Sequence, residues 1–254
     1  MRKFVSAALA LIATLAIAAV AQGDSVTAPS GQTQSMDATH SPNKAGKGAQ
    51  VTIDLKVTCP PDKQCQALPA PIGKPSPVFN TVVKLPKGTK YGFKYFPTCN
   101  PSKLESSGLK GCSKKAIVGK GNLTADGRPV VDTPVSGTVT AFNGTKSGGK
   151  ARYLLYVIPE LSSPLVLVGT LSGNTLSIPV PAVPTLPGQP NATLTTFKIK
   201  TGGSIKVKKK GKTRKYNYLT NPKKCPAGGF AWTFDFTYEN GEKLSPKDAA
   251  PCKK

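Results

Sequence analysis

Val51-Thr52-Ile53-Asp54-Leu55-Lys56-Val57 alternates apolar and polar side chains without a break. Successive side chains of an extended chain point to opposite faces, so this run is a strand with one face on a core and one in water. The same pattern returns near the other end of the chain. There Phe230, Trp232, Phe234, Phe236 and Tyr238 occupy alternate positions and share one face of a strand. Between the two lie β-rich runs at 81–85, 91–96, 116–124, 135–142, 152–158, 165–171, 175–180, 193–201, 204–209 and 214–219. Asp126-Gly127, Asn143-Gly144, Gly173-Asn174, Gly202-Gly203 and Asn240-Gly241 mark turns between them. Twenty-four prolines oppose a helical protein. The expected class is all-β, a β-sandwich of about 10–12 short strands with Greek-key or jelly-roll wiring.

The segment before the first strand reads differently. Arg2 and Lys3 precede an apolar run at 4–20, and Ala19-Val20-Ala21 ends it with the small-x-small pattern of signal peptidase. The run is shorter than the ~20 residues that span a bilayer. Residues 1–21 are therefore expected to be a signal peptide cleaved after Ala21, which implies a secreted, extracellular protein. Residues 22–50, rich in Ser, Thr, Gly, Gln and Asn, are expected to form a disordered leader. The folded domain is expected at 51–254. The stretch 179–190, with five prolines, is read as a semi-rigid connection where the domain would subdivide.

Six cysteines, Cys59, Cys65, Cys99, Cys112, Cys225 and Cys252, all follow the export segment. An even number in an oxidising compartment reads as three disulfides, and spacing alone leaves fifteen pairings open. Proximity in sequence favours Cys59 with Cys65, Cys99 with Cys112, and Cys225 with Cys252. No Cys-x-x-Cys pair exists and the one histidine, His40, lies in the leader, so no metal site and no cofactor is expected. One short helix is expected with Asn100 as its N-cap, Pro101 as its first residue and Gly108 at its C-terminal cap.

Leu85-Pro86-Lys87-Gly88, Pro97-Thr98-Cys99, Gly111-Cys112, Val118-Gly119-Lys120-Gly121 with Thr124-Ala125, and Gly137-Thr138-Val139-Thr140-Ala141-Phe142-Asn143-Gly144 follow one another along the chain. In that order they resemble an uncharacterised group of secreted actinobacterial disulfide-containing β proteins. Cys225-Pro226, Trp232, Phe234, Tyr238 and Cys252 are similar to that group's closing block. The resemblance spans residues 84–252. It implies a shared fold and carries no activity or site residue.

Charge points to a partner. The chain has 35 Lys and Arg against 12 Asp and Glu, and 198–224 holds eleven basic residues and no acid. Lys206, Lys208, Lys209, Lys210, Lys212, Arg214 and Lys215 are expected on a hairpin that meets an anionic cell-wall polymer or polysaccharide. Lysines that merely keep an exposed edge strand from pairing are the plainer reading. No reader motif accompanies the charge, so sequence-specific nucleic-acid binding is not expected.

The alternative is a carbohydrate-binding or adhesive module whose aromatic platform holds Trp232, Tyr216 and Tyr218. A core strand is the commoner reason for such alternation, and Tyr91, Phe93 and Tyr95 take the same discount. A third reading is an extracellular hydrolase. It lacks a histidine base outside the leader, and Asp235 and Glu239 on one strand face are too far apart for a carboxylate pair. Acids on separate strands, such as Asp132 or Glu160 with Asp235, would have to converge. No catalytic residues are expected, and the protein is read as non-enzymatic.

Overall fold

The computed structural model describes residues 24–132, 134–209 and 211–254. The expected signal peptide at 1–21 with its cleavage point, and Lys210, lie outside them. The chain opens with β1 (Ser25–Thr27), β2 (Thr33–Ser41) and β3 (Gln50–Thr58), then crosses to β4 (Val78–Lys84). The short β5 (Lys90–Tyr91) precedes helix α1 (Pro101–Ser107). A meander follows, of β6 (Ile117–Asp126), β7 (Val135–Ser147), β8 (Lys150–Pro159), β9 (Leu165–Ser172) and β10 (Thr175–Pro179). Next come β11 (Thr193–Gly202), the ribbon strands β12 (Ser204–Lys209) and β13 (Lys212–Asn217), and β14 (Leu219–Thr220). Strands β15 (Phe230–Tyr238), β16 (Lys243–Leu244) and β17 (Lys247–Ala250) complete the chain.

Thirteen strands form one antiparallel sheet in the order β1-β2-β3-β11-β6-β7-β8-β9-β10-β4-β15-β16, with β17 also on β15. The two margins of this sheet approach each other along a seam. The Ala38 amide of β2 donates to Asp248 Oδ2 of β17 at 2.7 Å. Below it, Lys253 N–H donates to the Asn43 carbonyl at 2.8 Å and Ala45 N–H to the Lys253 carbonyl at 3.0 Å. The class is all-β with one short helix, and the two layers of the expected sandwich are opposite walls of a single sheet that nearly closes. Bulges bend it: register shifts fall between Leu194 and Thr196 on β11, Ile117 and Gly119 on β6, and Gly144 and Ser147 on β7. Gly121 permits the close fit of β6 on β11, because a Cβ there would stand 2.1 Å from the Lys198 carbonyl oxygen.

Alternation in the sequence becomes inside and outside in the barrel. Val51, Ile53, Leu55 and Val57 are buried, as are Phe230, Trp232, Phe234, Phe236 and Tyr238. The helix forms as its caps dictate: Asn100 Oδ1 accepts from Ser102 N–H, Pro101 starts the helix, and Gly108 closes it at φ 56°. All three disulfides join the neighbouring cysteines, Cys59 with Cys65, Cys99 with Cys112 and Cys225 with Cys252.

Two expectations are corrected. Of the leader expected at 22–50, residues from Asp24 onward are folded, and β2 pairs with β3 over its full length. Its inward positions are Gln34, Met36, Ala38 and His40, and the two polar ones are stabilised by specific partners rather than by apolar burial. Residues 91–96 are not a continuous strand: after Tyr91 the chain turns through one 3-10 turn at Phe93–Tyr95. Gly92 sits where a Cβ would meet the Asn217 carbonyl at 2.1 Å, so ribbon and turn are pressed together there.

Topology gives the barrel two dissimilar ends. The connections 59–77, 127–134, 160–164, 180–192 and 239–242 gather at one, which we call the capped end. The segments 42–49, 85–116 and 202–229, including α1 and the ribbon, gather at the other.

Candidate functional site

The ribbon is built as the sequence suggests. β12 and β13 pair only with each other, outside the barrel sheet, with Ile205 opposite Tyr216, Lys206 opposite Lys215 and Val207 opposite Arg214. Lys206, Lys208, Lys212, Arg214 and Lys215 are exposed, while Lys209 enters through its backbone register opposite Lys212. Like charges directly across a strand pair repel and weaken it. The ribbon's root compensates. Tyr216 stacks on Tyr95 with ring centres 3.6 Å apart, and Lys94 Nζ stands 5.1 Å over the Tyr95 ring.

The rest of this end has the same sign. Segments 42–49, 85–116 and 202–229 together carry 18 Lys and Arg and one acid, Glu105. Connections 59–77, 127–134, 160–164, 180–192 and 239–242 carry three basic residues and five acids. Charge is therefore segregated along the barrel axis. Three ion pairs occur among the described residues, Lys84 with Asp235 at 2.8 Å, Arg128 with Asp126 at 2.6 Å and Lys198 with Asp54 at 2.7 Å. None involves Lys206, Lys208, Lys212, Arg214 or Lys215 of the ribbon.

The proposed aromatic platform is overturned. Trp232 and Tyr218 are each 3 % exposed. Trp232 Nε1–H donates to His40 Nε2 at 3.0 Å, and Tyr218 is wedged between the edges of Phe93 and Phe96. Tyr216 is half-buried against Tyr95. A strand with aromatic residues on one face gains most by turning that face inward, and the sheet does so.

Sequence reasoning missed two residues that organise this end. Asn143 is buried and its Nδ2 lies 3.1–3.2 Å from the carbonyls of Phe93, Phe96 and Pro97, fixing the turn that closes the barrel. Its burial and its three carbonyl partners make it a structural clamp. His40 is the second. Its Nε2 accepts from Trp232, so Nδ1 carries the proton and donates to Asn221 Oδ1 at 2.7 Å. Burial holds its pKa below the usual histidine value, and the ring stacks on Phe230 at 4.6 Å.

Asp235 faces outward to Lys84, and Glu239 Oε1 accepts from Asn191 Nδ2 at 2.8 Å. Asp37 lies opposite Asp54 on the outer wall, its pKa raised by partial burial and then by the charges of Asp248 and Asp54. No helix among the described residues is long and apolar enough to cross a membrane. No family model matches the chain, and neither does any curated protein or solved structure.

Proposed function

We propose that the protein acts outside the cytoplasm as a non-enzymatic β-barrel that attaches to an anionic polymer of the cell envelope through its ribbon end. The observation that carries this reading is the axial segregation of charge: 18 basic residues and one acid in the segments of one end, against three and five in those of the other. A net charge of +23 spread evenly would favour any anionic surface in any orientation. Gathered at one end, with a ribbon standing out from it, the charge orients the barrel with its capped end away from the polymer. Three disulfides and the export features of residues 1–21 support an extracellular setting.

The opposed cations of the ribbon add to the case. Lys206 across from Lys215 costs stability in the free protein, and a chain of phosphate or carboxylate groups lying along the ribbon would remove that cost. The test is retention on immobilised poly(glycerol phosphate) as salt is raised. A variant with Lys206, Lys208, Lys212, Arg214 and Lys215 changed to Ser should elute at markedly lower salt than the parent. A control with Lys56, Lys63, Lys84, Lys243 and Lys247 changed to Ser carries the same net charge and should elute near the parent. Equal elution of the two variants would show that total charge, not the ribbon end, does the binding.

A further inference from the structure

The barrel interior is incompletely filled. A cavity of about 300 Å³ lies beneath the capped end, walled by Leu123, Val157, Leu167 and Phe236 and roofed by Val131 and Val183. A second of about 100 Å³ lies nearer the ribbon end, bordered by Tyr91, Tyr218 and Trp232. Val83, Leu155, Ile178, Phe197 and Phe234 line both, so one layer of side chains separates them. Among the described residues, no Asp, Glu, Lys, Arg or His contributes to either lining. The larger cavity falls within the range of small-molecule sites, roughly 300–1,000 Å³. An apolar cavity of about 150 Å³ already stays dry and takes up benzene, and this one has twice that volume.

The smaller cavity holds the second observation. The hydroxyls of Tyr91 and Tyr218 are buried and have no protein partner. A buried polar group without a partner is expensive, and native proteins keep few of them. Burial raises both phenol pKa values, so the two groups stay un-ionised donors. Tyr153, on the same lining, is already engaged with Thr201 Oγ1 at 2.8 Å. Two neutral donors at the inner end of an apolar space call for an oxygen acceptor. They also reject a carboxylate, which would enter without a cation to pair with it.

We infer that the barrel interior binds an uncharged, mainly hydrocarbon small molecule bearing one oxygen acceptor, its body in the larger cavity and its oxygen at Tyr91 and Tyr218. Reaching both requires the shared layer to part, and the larger cavity gives the Phe197 ring space to turn into. Entry is from the capped end, where Val130, Leu161 and Leu186 are exposed on the three connections that roof the cavity. The roof is tied down at its margin by buried Lys74, whose Nζ donates to the carbonyls of Arg128 at 2.6 Å and Asn191 at 2.8 Å. The inference is independent of the polymer reading, since the small molecule lies inside the barrel and the polymer lies along exposed cations on the outside of the ribbon.

The probes are octane, octan-2-one and octanoate, each titrated into the purified protein at pH 7 without any polyanion, with the NMR signals of the Trp232 indole and the Leu167 methyls as readout. Octan-2-one should bind about tenfold more tightly than octane, the gain expected of one or two hydrogen bonds in a dry site. Octanoate should bind more weakly than either. Changing Tyr91 and Tyr218 to Phe removes two unpartnered hydroxyls without changing the packing. That variant should bind octan-2-one no better than octane while keeping octane affinity. The five-site ribbon variant should bind all three as the parent does. Equal affinity for octane and octan-2-one in the parent would overturn the assignment of the tyrosines. Failure of both to bind, with benzene still binding, would reduce the interior to a packing void.

Discussion

The two ends of the barrel are closed by opposite means. At the ribbon end, aromatic rings fill the opening: Tyr91 stacks on Phe93 at 5.0 Å, Phe93 and Phe96 meet Tyr218 edge-on, and Asn143 clamps their backbone. At the capped end, loops rather than rings lie across the opening. The proline-rich connection turns back on itself, with Ala192 N–H donating to the Val183 carbonyl at 2.8 Å, and Lys74 fastens its base. Proline suits such a roof because it is pre-extended and has no N–H to leave unpaired over an apolar space. One end is a plug and the other a lid. The plug is where the charge collects and the lid is where most of the interior space remains, so rigidity and access are largely kept apart.

Substitutions test that contrast. Trp232→Ala should be the most damaging, costing about 3–5 kcal/mol in urea unfolding, since it removes a large buried ring that borders only the smaller cavity and strips His40 of its donor. Leu167→Ala at the capped end should cost no more than about 2 kcal/mol, because that side chain already borders space and its neighbours lose less. Equal losses would mean that the two ends are packed alike. The clamps come next. Asn143→Ala, which orphans buried carbonyls, should cost about 2–3 kcal/mol. Lys74→Ala should cost about 1–2 kcal/mol while raising hydrogen-exchange rates at 180–192 selectively.

Acid should unfasten the plug before the lid. The folded-state pKa of His40 lies below its ordinary 6.5, so above that pH the group is neutral in both states and stability is unaffected. Below it the unfolded chain binds the proton first, and stability falls until the folded ring also titrates. Melting temperature should decline below about pH 6.5 in the parent, and His40→Gln, although less stable, should lose the histidine part of that slope. The smallest effect is on the ribbon. Lys206→Thr should raise stability by about 0.2–0.5 kcal/mol by removing the charge opposite Lys215, and at the same time lower the salt needed for elution from the polyanion.

How much of this could be read in the sequence follows from what each signal reports. The helix at 101–107 was legible to the residue, because Asn100, Pro101 and Gly108 act locally. Strands at 51–57 and 230–238 were legible because alternation reports one-sided burial directly. The inward direction of Trp232 was legible as a preference alone, since alternation marks which residues share a face and not what covers it. β2 was hidden: Thr33-Gln34-Ser35-Met36-Asp37-Ala38-Thr39-His40-Ser41 looks polar on both faces. Its buried Gln34 and His40 are paid for by Tyr238, Trp232 and Asn221, which lie about two hundred residues away in sequence. Near closure of the sheet was likewise out of reach, because it depends on β11 lying between β3 and β6 and on which margins meet. The basic ribbon was legible as charge, whereas its isolation from the acids is a property of the topology. Neither cavity leaves any trace in composition.

The seam between β2 and β17 bears on how the molecule is born. Residues 38–45 close the wall against partners at 248–253, so this margin of β2 stays open until those distant residues are in place. A chain delivered N-terminus first keeps this seam open until residues 248–253 arrive, and Cys252 then meets Cys225 beside the completed wall. Removing residues 248–253 would take away the partner of residues 38–45. The cost would be felt some two hundred residues upstream.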